Sequence, residues 1–348
     1  MSYEFKLYGL EGAECLEDFF SSVPNALLYH SIKYARLLSE FLEAEYCCVV
    51  AVDGAGAVVG SIPFFIKESN GSLVANSMPF YGSHGGVVLR EPNDVLFSEL
   101  LGFYLNYVEQ RGCSVSTIIA SPFTDDAARY ESYLQVTPSD SRLGQVTELP
   151  CDASYEVLIA SLPSKTRNMV RKAEKQNIKW TSEYIEGGLD FLFSVHCENM
   201  HEIGGVAKPA RFFELIKSNF EYGTDYRVYT AYFEGQPVSA LLLFYSGETV
   251  EYFTPVIKAE YRSMQPLTAL IFNAMREAVE RGYRFWNWGG TWATQEGVYR
   301  FKKSWSAVDI PYNYYSTVFK KSFLDTRQEA LLSEYPYFYT VPFGWLSK

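Results

Sequence analysis

Apolar positions in the first half of the chain fall in short runs separated by turn residues. Cys47 to Val52 is a strand-like run, Asp53-Gly54-Ala55-Gly56 a turn, and Ala57 to Ile66 a second run, so the pattern predicts a hairpin. A third strand follows over Ser72 to Ser77, then the glycine-rich loop Tyr81-Gly82-Ser83-His84-Gly85-Gly86. A helix is predicted from about Asn93 to Gln110, stopped by Gly112, with another strand over Val115 to Ala120.

The second half repeats that order. Strands are predicted over Arg227 to Phe233, Val238 to Tyr245 and Thr249 to Val256, with turns at Glu234-Gly235-Gln236 and Ser246-Gly247-Glu248. Pro266 then opens a helix whose apolar face is Leu267, Leu270, Ile271, Ala274, Met275 and Ala278. Gly282 ends it, and Tyr283 to Trp288 is the next strand. The turn glycines Gly54 and Gly235, and the helix stops Gly112 and Gly282, are offset by similar intervals. The chain therefore reads as an α/β (α+β) protein of two tandem units, each a mixed sheet flanked by helices. The first is expected over residues 1–150 and the second over 151–320, with a helix and an aromatic tail over 321–348 packed on them. A charged helix over Tyr155 to Gln176 is expected to connect the units, and Leu189 to Phe220 to supply further helices.

Composition narrows the class. A chain of 348 residues has room for two cores of about 150 residues each. Its 48% apolar and 20% charged residues are globular proportions, and its 27 tyrosines and 25 phenylalanines argue against disorder. Charged residues interrupt Met1 to Leu16, and no apolar run approaches the length of a spanning helix, so a soluble, cytoplasmic protein is expected. The net charge of −11 argues against general affinity for nucleic acid or anionic lipid. Six scattered cysteines (Cys15, Cys47, Cys48, Cys113, Cys151, Cys197) read as buried, reduced thiols. With four histidines and no metal-ligand spacing, no metal site is expected.

Two segments carry candidate chemistry. In Leu162 to Gln176, Ser164 is a capping-type residue, and Arg167, Arg171 and Lys175 form one basic stripe at helical spacing, with Lys165 and Lys172 nearby. The stripe is either a solvated face or a dock for phosphates. In Phe285-Trp286-Asn287-Trp288-Gly289-Gly290-Thr291, a strand ends in two glycines where a ligand can approach the backbone. The following Gly297-Val298-Tyr299-Arg300-Phe301-Lys302 puts Lys302 among aromatic residues, where its charge can hold a carbonyl or phosphate oxygen. The alternative is a tight turn and an ordinary basic helix. Glu251 on the third strand of the second unit is a candidate base or a surface acid, and His84 a ligand contact or a structural histidine.

The run SKTRNMVRKAEKQNI, then HCENMHEIGG, EGQPVSALL, YRSMQPLTALIFNAMREAVERGYRFWNWGG and GVYRFKKSW, resembles the Fem-type (FemAB-like) nonribosomal aminoacyl and peptidyl transferases and related acetyltransferases of the GNAT superfamily. The likeness covers residues 155–315 and, more weakly, 25–120. It implies two GNAT-like acyltransferase domains and transfer of an aminoacyl or acyl group, from aminoacyl-tRNA or acyl-CoA, to an amine of a sugar- or peptide-linked cell-envelope precursor. No further cofactor is implied. Phe301 and Lys302 match the family's aromatic-lysine pair near the reacting centre, Arg167 and Arg171 lie in its basic helix, and Lys33 stands where precursor phosphates would bind. Tyr81, His84, Trp288, Gly289, Gly290, Thr291 and Tyr299 complete the expected substrate site. Arg262-Ser263-Met264-Gln265-Pro266-Leu267 lacks the glycines of a coenzyme A pyrophosphate loop, and the coiled helical arm of some family members is missing. An acetyl-CoA-dependent amino-sugar acetyltransferase and a non-catalytic precursor-binding protein are the alternatives.

Overall fold

The computed structural model describes residues 3–80, 82–291 and 295–347. They form two compact units, one of residues 1–143 and 311–348 and the other of residues 144–310.

The first unit opens with β1 (Glu4–Gly9), α1 (Glu17–Ser22) and α2 (Ile32–Leu42), the last capped by Ser31, whose hydroxyl accepts the Tyr34 N–H. Then come β2 (Glu45–Val52), β3 (Val58–Ser69), β4 (Ser72–Ser77), a short β5 (Val88–Leu89), α3 (Asp94–Gln110), β6 (Cys113–Ile119), α4 (Ala127–Leu134) and β7 (Asp140–Glu148). The hairpin closes because the Asp53 carboxylate accepts the N–H groups of Ala55 and Ala57, both at 2.9 Å. Neighbouring strands β1 to β4 are antiparallel, and β4 lies parallel to β6. Helix α3 covers β2, β3 and β6, burying Leu100, Leu101 and Tyr104 against Val49, Phe64 and Cys113.

In the second unit the predicted single charged helix is two, α5 (Tyr155–Ser161) and α6 (Ser164–Glu174). Pro163 sits between them in an extended conformation and acts as the N-cap of α6, so Ser164 is the first helical residue and makes no capping bond. The unit continues through β8 (Lys179–Thr181), α7 (Gly188–Glu202), α8 (Ala210–Asn219), β9 (Tyr226–Phe233), β10 (Gln236–Ser246), β11 (Thr249–Ile257), α9 (Pro266–Glu280), β12 (Phe285–Thr291) and α10 (Glu296–Lys303). Strands β8 to β11 are antiparallel neighbours, β11 is parallel to β12, and β7 flanks β12. Helix α9 buries Leu270, Ile271, Ala274, Met275 and Ala278 against Leu241, Leu243, Trp286 and Trp305.

The chain then returns to the first unit through β13 (Val308–Val318), which pairs antiparallel with β6, and α11 (Gln328–Glu334). Hairpin, third strand, helix and parallel fourth strand thus occur in both units. The outer strand beside the fourth is exchanged: β7 follows the first repeat but flanks β12 of the second, and β13 follows the second but pairs with β6 of the first. That exchange is why the units divide inside β7 and β13 and not near residues 150 and 320. The aromatic tail belongs to the first unit, where Tyr335 is buried with Val74 and Val115, whereas Trp345 is exposed. Cys47, Cys48 and Cys113 are buried as expected of structural thiols, but Cys15 and Cys151 are exposed.

Candidate functional site

The hydrogen-bonded register of β11 and β12 covers only Thr249/Phe285, Val250/Trp286 and Glu251/Asn287. β11 runs on to Ile257 and β12 to Thr291 without further pairing to each other among the described residues, so the strands part beyond Glu251 and Asn287. A bulge in β11 between its pairings with Leu242 and Leu243 adds to the divergence. Backbone groups on the inner edges of this fork are released from the sheet and can serve a ligand.

Glu251 is buried, not a surface acid, and its carboxylate accepts the Asn287 side-chain N–H at 2.8 Å. The Asn287 side-chain oxygen in turn accepts the Gly289 N–H at 2.9 Å. That bond holds Gly289, whose φ of 71° is a backbone state glycine adopts without strain. The two glycines lie within β12 and not beyond it. Their carbonyls point at Lys302, whose ammonium donates to Gly289 O (3.2 Å), Gly290 O (3.0 Å) and Thr291 Oγ1 (2.9 Å).

Lys302 sits on the short amphipathic helix α10, is only 5% exposed, and pairs with no carboxylate among the described residues. Burial pushes its pKa down to about 8. The Thr291 hydroxyl passes the chain on to Gln145 Oε1 (2.8 Å), Gln145 Nε2 donates to Asp309 (3.2 Å), and Tyr299 donates to the other Asp309 oxygen (2.8 Å). Asp309 also lies 3.4 Å from the Lys303 ammonium. Tyr299 therefore anchors α10 to β13.

Phe301 is half-buried and meets Trp288 edge-on, with ring centroids 6.0 Å apart. Trp288 is itself buried, donates its indole N–H to Thr147, and packs on Tyr252. It supports Phe301 and the fork as a wall and does not present a free face.

The basic stripe divides by environment. Arg167 is half-buried and donates to the Leu162 carbonyl at 2.9 Å, whereas Arg171, Lys172 and Lys175 are exposed. Helix α6 is tied to α10 by the Thr166 hydroxyl, which donates to Ser304 O.

Lys33 and His84 belong to the first unit. Lys33 is half-buried on α2. His84 is fully buried between the rings of Tyr29 and Tyr312, at 5.5 and 4.6 Å, and burial lowers its pKa to about 3, so it stays neutral. Tyr81 lies outside the described residues. Among the described residues no group of three or more His, Cys, Asp or Glu side chains is placed to hold a metal ion.

Sequence reasoning missed Asn287, Gln145 and Lys208. An asparagine between two tryptophans in a strand was the available signal for the first, because asparagine is depleted in strands. Gln145 offered none. Lys208 lies in the loop between α7 and α8, with its ammonium 5.2 Å from the Phe253 ring centroid and 3.4 Å from Thr254 Oγ1. Its main-chain N–H donates to His196 Nε2 at 3.0 Å, and burial lowers its pKa to about 8. Thr254 and Glu251 oppose Leu242 and Phe244 on β10, away from the α9 side that holds Leu241 and Leu243. The two positions thus share a face, about 7 Å apart along the strand.

Residues 164–303 match the family model described as an acetyltransferase (GNAT) domain. No curated protein matches the chain in sequence. Among solved structures, the crystal structure of FemX is similar with a TM-score of 0.74 at 15% identity, covering 92% of this chain and 98% of that one. A tandem GNAT protein from the clavulanic acid biosynthesis pathway has a TM-score of 0.54 at 12% identity, with coverage of 91% and 99%. The C-terminal domain of a putative lysylphosphatidylglycerol synthetase from Agrobacterium fabrum has a TM-score of 0.51 at 12% identity, with coverage of 84% and 90%. At these identities the likeness is one of fold.

Proposed function

We propose that this chain is an acyltransferase of the GNAT superfamily, a reading supported by the match of residues 164–303, and that it transfers an aminoacyl or acyl group to an amine of a sugar- or peptide-linked cell-envelope precursor. The observation that carries this reading is the buried Lys302 ammonium, fixed by three oxygens at the end of β12 with no neutralising carboxylate among the described residues. In aminolysis of an ester or thioester the amine nitrogen attacks the carbonyl carbon and negative charge develops on the carbonyl oxygen. The N–C bond forms, the C–O or C–S bond breaks, and the proton lost by the amine ends on the leaving oxygen or sulfur. A desolvated cation that is already oriented stabilises that oxyanion without reorganising.

Glu251 at the fork is the candidate to receive the amine proton, with Asn287 fixing its geometry. Phe301 and the backbone of Gly289, Gly290 and Thr291 would border the acyl group. Arg167, Arg171 and Lys33 are candidate phosphate contacts, Tyr81 and His84 remain candidate contacts from the first unit, and Lys208 is a further cation on the Glu251 face.

The donor is either aminoacyl-tRNA or acyl-CoA. The start of α9 favours the former, since Gln265 and Pro266 stand where a pyrophosphate loop would present glycine N–H groups, and proline has no N–H to offer. The parting of β11 and β12 favours the latter, because it opens strand edges to an extended donor.

Incubation of the purified chain with labelled aminoacyl-tRNA or acetyl-CoA and a nucleotide-linked muropeptide precursor tests the reading. Label transferred to the precursor amine, and lost on Lys302→Met substitution, is the expected result. Transfer that survives Lys302→Met sinks the assignment, and label passing only to free amino sugars in the presence of acetyl-CoA replaces it with amino-sugar acetylation.

A further inference from the structure

Gln145 is fully buried on β7, two residues before the buried Thr147, so both side chains leave the strand on one face. Thr147 accepts the Trp288 indole N–H at 2.8 Å and donates to the Trp305 carbonyl at 2.9 Å. Gln145 meets the Thr291 hydroxyl at 2.8 Å. One face of β7 thus holds both the end of β12 and the residues just after α10, and the Gln145 contact is the one that leads to Lys302.

The direction of each bond in that chain follows from the groups that make it. The Asp309 carboxylate only accepts, and it takes the Gln145 Nε2–H at 3.2 Å and the Tyr299 hydroxyl at 2.8 Å. The amide nitrogen of Gln145 is therefore turned toward Asp309 and its oxygen toward Thr291. An amide oxygen also only accepts, so the Thr291 hydroxyl gives its single proton to Gln145 and presents lone pairs to the Lys302 ammonium, 2.9 Å away. Without Gln145 that hydroxyl is free to rotate and to turn its proton toward the cation. The amide also carries no charge. It keeps Asp309 two side chains away from Lys302, while the Lys303 ammonium lies 3.4 Å from the same carboxylate.

We propose that Gln145 is a positioning residue for Lys302, fixing the ammonium through the Thr291 hydroxyl and holding the Asp309 charge away from it. Its effect on turnover rests on Lys302 being the cation that stabilises the oxyanion.

Gln145→Met, Thr291→Val and the double variant of the full chain test this, with circular dichroism to verify folding. Methionine matches glutamine in length and offers the Thr291 hydroxyl no amide oxygen. Each single substitution is expected to lower kcat about tenfold with the acceptor KM within about twofold, and the double variant to lose no more than Thr291→Val alone. Losses that multiply in the double variant, a Gln145→Met kcat equal to that of the parent, or a loss carried by KM would overturn the role. Should Gln145→Met not fold, Asp309→Asn keeps the shape of that side chain but can offer Gln145 an N–H, which permits the reversed amide. It is expected to lower kcat about threefold, and an unchanged kcat would count against Gln145.

A readout independent of turnover separates this role from the acyl-transfer reading. In proton–nitrogen NMR of lysine-labelled protein at mildly acidic pH, the Lys302 ammonium signal is identified by its loss in Lys302→Met. Its exchange with water is expected to be about tenfold faster in Gln145→Met than in the parent. Faster exchange in a chain that transfers no acyl group would support the role of Gln145 and remove the reaction. Unchanged exchange in a chain whose transfer depends on Lys302 would overturn the role of Gln145 and leave the reaction standing.

Discussion

Glu251 and Asn287 face each other across the last paired rung of β11 and β12, with the amide of one donating to the carboxylate of the other at 2.8 Å. The same asparagine binds the Gly289 N–H, so one side chain links the candidate base to the strand end that holds Lys302. Glutamine at 251 retains an oxygen to accept that bond but removes the basic carboxylate. Glu251→Gln is therefore expected to fold with a melting temperature close to the parent, while kcat falls by about 10² or more. Unchanged turnover would assign proton removal to another group.

Lys302 gives a prediction in pH. Burial favours the neutral amine, so the ammonium is held below about pH 8 and lost above it. If the cation stabilises the oxyanion, kcat declines as pH rises through that value, and Lys302→Met lowers it by about 10² to 10³ at neutral pH. A rate that climbs steadily above pH 8 would instead mark Lys302 as a base.

His84 and His30 are both buried in the first unit, with pKa values lowered to about 3 and about 4 from 6.5. The unfolded chain takes up protons at these two positions first. Their contribution to stability is present in full above pH 6.5 and is lost as pH falls toward the folded values. Melting temperatures measured from neutral pH down to about pH 4.5 should fall, and His84→Phe, which keeps an aromatic ring between Tyr29 and Tyr312, should fall less steeply. Parallel curves for the two proteins would remove His84 from the account.

Gly86 has a φ of 91°, and a methyl group there would come within 2.4 Å of the Tyr130 hydroxyl. That hydroxyl is occupied, since it accepts the Val87 N–H at 2.8 Å. Gly86→Ala combines backbone strain with the loss of that bond and is expected to cost about 3 kcal/mol, read from chemical denaturation. A cost below about 1 kcal/mol would mean that the loop relaxes freely.

Both repeats were legible because hairpin turns such as Asp53-Gly54 and helix stops such as Gly112 and Gly282 are local signals. Lys302 was legible as a lysine among aromatic residues. The division of the units was not, because nothing local to β7 or β13 states which strand each will lie beside. The same limit applies to Gln145 and Lys208, whose roles depend on side chains far away in sequence at Thr291 and Phe253. His84 was left open between ligand contact and structural histidine because its burial comes from Tyr29 and Tyr312, which lie far from it in the chain.

The exchanged strand has a consequence for the order in which the protein is made. β13, which closes the edge of β6, leaves the ribosome only after the whole second unit has been synthesised. Until then the first unit carries an open strand edge, the kind of surface that recruits stray chains. The second unit, which already has β7 in hand, can consolidate earlier. The half synthesised first is thus the half completed last, and a chaperone acting on this protein would be needed most while β6 waits.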